Sequence, residues 1–106
     1  MELQGKAKEE FEKYYIQIEG LQDKTIQSQR LELLLFYAMS EPKKYGVLVD
    51  WFDSVGVDIE IILDSSNKGD FTAFVNNNML GSTCHSRPQA RQQAIKKAVE
   101  ILNNRV

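Results

Sequence analysis

Cys84 and His85 are the chain's only cysteine and only histidine, and they are adjacent. A thiol beside an imidazole could act as a nucleophile with its base. The surrounding pattern reads as a strand, where neighbouring side chains point to opposite faces. The pair is therefore expected to split into one packed and one exposed residue. Asp50 and Asp53 stand one helical turn apart and could bind a metal or move a proton. That chemistry needs a concave, partly desolvated setting, and their face of the helix is polar. It reads as a solvated surface. A zinc site would have to be built from carboxylates around a lone cysteine or histidine. No glycine-rich phosphate loop or nucleophile elbow is found. No catalytic residue, metal ligand or cofactor is expected, and the chain reads as a non-enzyme.

The basic residues are more informative. Residues 82–106 carry Arg87, Arg91, Lys96, Lys97 and Arg105 against Glu100, while the remaining residues carry 8 basic and 14 acidic groups. The overall charge of −2 opposes bulk attraction to nucleic acid. Arg87, Arg91, Lys96 and Lys97 nevertheless form a candidate nucleic-acid-binding set on one helix. Arg91 falls inside that helix's apolar arc. There it needs carboxylates, carbonyls or an anion, with Asp53, Asp58 or Glu60 as the expected partners at the sheet edge.

Apolar spacing sets the elements that hold these residues. Ala7, Phe11, Tyr14, Tyr15 and Ile18 predict a first helix over about 3–18, ended by Gly20. A second helix is expected over about 25–39. Its second half, Leu31, Leu33, Leu34, Leu35, Phe36 and Tyr37, is apolar on every side. Such a helix is buried all round or shared with another chain. Leu31, Leu35 and Phe36 are thus candidate interface residues, for an unidentified protein partner or a homodimer. Ser40-Glu41-Pro42 starts a third helix that runs to about Val55, with Gly56 as a left-handed cap. Val57, Ile59, Ile61 and Leu63 then alternate as a strand. A turn is expected at Ser65–Gly69, and Phe71, Ala73 and Val75 mark a second strand. Asn76-Asn77-Asn78 suits a hairpin turn, and a third strand is expected from Met79 to His85. Ser86 and Gln89 read as a capping box for a last helix with Ala90, Ala94, Ala98, Ile101 and Leu102 on one face.

The 106 residues suffice for one domain and one core. The fold class read from this order is α+β. A helical extension over 1–40 precedes a helix–three-stranded antiparallel meander–helix unit over 41–106, with its helices on one sheet face. That α-β-β-β-α order resembles a double-stranded-RNA-binding domain. The family's loop and lysine determinants have no counterpart in Ser65–Asp70 or in Arg87, Pro88, Gln89 and Arg91. Duplex-RNA binding is therefore expected to be weak or absent at physiological salt. Phe36 to Pro42, Tyr45 to Val57 and Ser86 to Ile95 look like small uncharacterised proteins of Bacteroides-group gut bacteria and their phages. That resemblance implies an accessory protein of a phage or mobile element.

A 42% hydrophobic, 26% charged composition is that of a globular chain. No apolar run nears the roughly 20 residues of a membrane helix. The charged opening lacks the apolar stretch of a secretory signal, so a cytoplasmic protein without membrane contact is expected. The function expected first is non-catalytic protein–protein interaction. The alternative is RNA or DNA binding by the basic last helix, and an enzyme is the third.

Overall fold

The computed structural model describes residues 2–64, 70–80 and 84–105. The expected turn at Ser65–Gly69 and the middle of the expected third strand lie outside them. The described elements are α1 (Gly5–Ile18), α2 (Ile26–Tyr37), α3 (Glu41–Ser54), β1 (Ile59–Asp64), β2 (Asp70–Val75), β3 (Asn78–Met79) and α4 (Arg87–Asn103). The fold is α+β, with a three-stranded antiparallel sheet in the order β1-β2-β3.

Two helix ends are set by glycine. At Gly56, φ is +83°. Its amide donates to the Asp53 carbonyl and the Val57 amide to the Phe52 carbonyl, so the last carbonyls of α3 are satisfied as the chain turns toward β1. Gly20, at φ +66°, ends α1 by the same pair of bonds, with Leu21 tucked in after it. Asn76 and Asn77 both hold positive φ and join β2 to β3 in a two-residue turn. Of the third strand expected from Met79 to His85, the described residues show Met79 in β3, Leu80 just outside it and Cys84 bridged to Phe71.

Register places Ile59, Ile61 and Leu63 opposite Val75, Ala73 and Phe71 on one face. That face meets α3 and α4. Ala90, Ala94 and Ala98 are fully buried, which lets the α4 backbone come close to the strands. Phe11 ties the N-terminal helices to this unit. Its ring lies 5.0 Å from Phe36 and 5.3 Å, edge-on, from Trp51. One buried cluster therefore runs from Leu3 through Phe11, Phe36 and Trp51 to Leu102.

Two polar side chains from the end of α4 fasten other elements. Asn103 Oδ1 accepts from the Ala7 amide at 2.8 Å, and its Nδ2 donates to the Gln4 carbonyl at 3.0 Å. Asn103 so caps α1 from a distant part of the chain, where Gln4 makes no side-chain cap of its own. Arg105 donates to the carbonyls of Val55 at 2.6 Å and Gly56 at 3.2 Å, closing the C-terminus of α3. Glu41 accepts from Gln92 at the opposite end, so α3 and α4 run in the same direction.

Candidate functional site

The residues that could carry chemistry are held apart. Cys84 is buried and His85 projects outward, as strand alternation requires. The His85 ring nitrogen lies 3.0 Å from Asp70 Oδ1. Asp50 and Asp53 are both exposed. Among the described residues no group of three or more His, Cys, Asp or Glu side chains could hold a metal ion. No described helix is long and apolar enough to cross a membrane.

The basic set divides in two. Arg87 and Arg91 share one side of α4, with the Arg87 guanidinium 4.9 Å from the Phe71 ring centre and that of Arg91 5.1 Å from Tyr45. Lys96 and Lys97 are turned away from Arg91 by roughly 120–140° of helix. Lys97 pairs with Glu100 at 3.7 Å, and Lys96 lines a groove together with Gln4 and Gln92. The structure thus brings Arg87 and Arg91 together and leaves the two lysines elsewhere.

Arg91 itself departs from expectation. Its partner is the face of Tyr45 on α3, and among the described residues its buried Nε has no hydrogen-bond partner. The parallel course of α3 and α4 explains this. It sets Arg91 beside the N-terminal half of α3, while Asp53 stands near the C-terminal end of that helix. Burial pushes the Tyr45 phenol above the usual tyrosine range, while Arg91 and Arg87 pull it back.

The candidate interface residues on α2 also divide. Phe36 is only 1% exposed and belongs to the core, against Phe11, Tyr15 and Tyr37. This corrects its reading as an interface residue. The helix turns Phe36 inward, so it seats α2 on α1. Leu31 and Leu35 lie on the other side. With Ile26 and Leu34, which the sequence reading had not singled out as interface residues, they are 54–66% exposed. Helical geometry places Leu31, Leu34 and Leu35 on one continuous face. The signal for Leu34 was present in the sequence as part of the all-round apolar run.

Hydrogen bonds anchor the helix that carries this face. Thr25 caps α2 by accepting from the Ser28 amide. Gln29 Nε2 donates to the Leu21 carbonyl, Lys44 to the Tyr37 carbonyl, and the Tyr37 hydroxyl to Glu12 at 2.8 Å. Burial, with the Glu12 hydrogen bond adding to it, holds the Tyr37 phenol well above its usual range. A shallow groove lined by Lys8, Glu12, Arg30, Leu33, Leu34 and Tyr37 borders the face on the α1 side.

No family model, curated protein or solved structure matches this chain. The class that the fold and the exposed surfaces define is a small α+β domain with an apolar helical face on one side and a stacked arginine pair on another.

Proposed function

We propose that this chain is a non-catalytic binding protein, an accessory factor of a phage or mobile element, that docks another protein on the exposed face of α2. The observation that carries this is the exposure of Leu31, Leu34 and Leu35 beside a core already closed by Phe36. A contiguous apolar patch on an ordered helix is the usual surface of a protein contact. Its pinned helix would lose little further conformational freedom on binding. The test is capture of partners from cells that express the protein. Wild type and Arg87→Ala should retain the same partner, and a Leu31→Lys/Leu34→Lys variant should lose it. Unchanged capture by the lysine variant would refute this reading.

A second reading is favoured by Arg87 and Arg91 lying on one side of α4. Arg87 and Arg91, presented on aromatic rings, could receive a phosphate of RNA or DNA. Binding of single-stranded DNA that falls steeply with salt and vanishes in Arg91→Ala would support it. Salt-independent binding, or none, would remove it.

A further inference from the structure

β1 is an edge strand: its only described neighbour is β2. Its free edge has a definite hydrogen-bonding parity. Phe71 exchanges both backbone bonds with Cys84, and the Ala73 carbonyl accepts from Leu80. Both residues therefore direct these groups away from β1. Their register partners Leu63 and Ile61, and Ile59 by the same alternation, direct their own amides and carbonyls outward. The opposite parity agrees, since the Asp58 carbonyl turns inward to accept from Asn76.

Along this edge Ile59 is buried and Glu60 is charged, while two apolar side chains stay exposed. Leu63 sits on the helix-facing side yet is 53% exposed, so the helical layer stops short of it; Ile62 on the other face is 43% exposed. An unprotected apolar edge is a template for another strand. β1 carries none of the proline or lysine that blunts such edges.

We infer that β1 pairs antiparallel with β1 of a second copy of this chain, across a two-fold axis at Ile61, to make one continuous sheet from both chains. The register follows from the parity. Centring on Ile61 sets each outward-facing residue against another: Ile61 against its own copy, and Ile59 against Leu63 on both sides. About six backbone hydrogen bonds form. Centring on Ile62 or on Glu60 loses about two of them. In the Ile61 register, Leu63 lies opposite Ile59 of the second copy, and the two Ile62 side chains meet diagonally. The acidic positions Asp58 and Asp64 come opposite one another only at the rims. Pairing should therefore strengthen with salt. This contact is separate from the α2 face and does not depend on it.

The experiment combines mass measurement with disulfide trapping. By sedimentation at high micromolar concentration, wild type and Leu34→Lys should both be dimers. Leu63→Lys, altered at an exposed position, should raise the dimer dissociation constant at least about tenfold. Glu60→Cys and Ile62→Cys proteins, mixed and oxidised, should cross-link to each other far more than either does alone, because these positions are opposed only in the Ile61 register. Cys84 is buried and should not compete. Three results would each overturn the inference: a monomeric wild type, a dimer lost in Leu34→Lys but kept in Leu63→Lys, or cross-linking no greater in the mixture.

Discussion

Replacing Leu34 by lysine separates a docking face from a folding core, when compared with Phe36→Ala two positions along the same helix. Leu34 is 66% exposed. Full burial of a leucine contributes about 1.5–3 kcal/mol, so the third of it realised here amounts to about 0.5–1 kcal/mol. Lysine and leucine have nearly equal helix propensity, which adds little. Phe36 is 1% exposed and touches three aromatic rings, so truncating it should cost about 3–5 kcal/mol through lost burial and the cavity left behind. Urea unfolding of both variants, monitored through Trp51 and run at low protein concentration, reads the two numbers directly. Leu34→Lys should unfold within about 1 kcal/mol of wild type and still fail to capture the α2 partner. A loss in Leu34→Lys as large as that in Phe36→Ala would refute the reasoning, because it would make the outer face of α2 part of the core.

Gly56→Ala should cost about 1 kcal/mol. The added Cβ would meet nothing nearer than Arg105 Nη2 at 3.8 Å, so the loss comes from a positive φ rather than from a clash; an unchanged denaturation midpoint would contradict it. Asn103→Ala removes the cap on α1 and should cost about 1–2 kcal/mol, with faster amide exchange at Ala7. Exchange unchanged there would show that α1 does not rely on it. Burial first, and then neighbouring carboxylates, raise the phenols of Tyr37 and Tyr15, and burial also raises that of Tyr45. The fold keeps them protonated while the unfolded chain ionises near pH 10, so stability is full below about pH 10 and falls as pH rises above it. Tyr37→Phe should flatten that alkaline fall, and a slope equal to wild type would remove Tyr37 as its source.

Local chemistry was legible in the sequence, and long-range pairing was not. Gly20 and Gly56 announced two helix ends because each sits where the chain must take a positive φ. Asn76-Asn77 announced the hairpin for the same reason. Ser86 accepts from the Gln89 amide as a capping box requires, but Gln89 returns its bond to His85 rather than to Ser86. Asn103 gave no signal, because its bond to Ala7 spans 96 residues and exists only once α1 has packed beside the end of α4. Arg105 was equally silent as the cap of α3. Arg91 was rightly placed inside the apolar arc of α4, yet its aromatic partner follows from the relative direction of two helices, which no helical wheel contains.

The α2 segment shows why its exposed face could be located only after folding. Periodicity distinguishes a buried face from an exposed one when apolar and polar residues alternate, and Leu33 to Tyr37 offers no such contrast. Packing supplies it. Phe36 enters the aromatic cluster around Phe11, and Tyr37 is anchored to Glu12, which fixes the rotation of the helix. Once that rotation is fixed, Leu31, Leu34 and Leu35 must face outward. The buried cluster runs from Leu3 to Leu102 without them. Polar residues there would leave the core intact and α2 capped and seated. Three leucines at those positions therefore do little for the isolated fold, and the proposed contact outside the chain would use them.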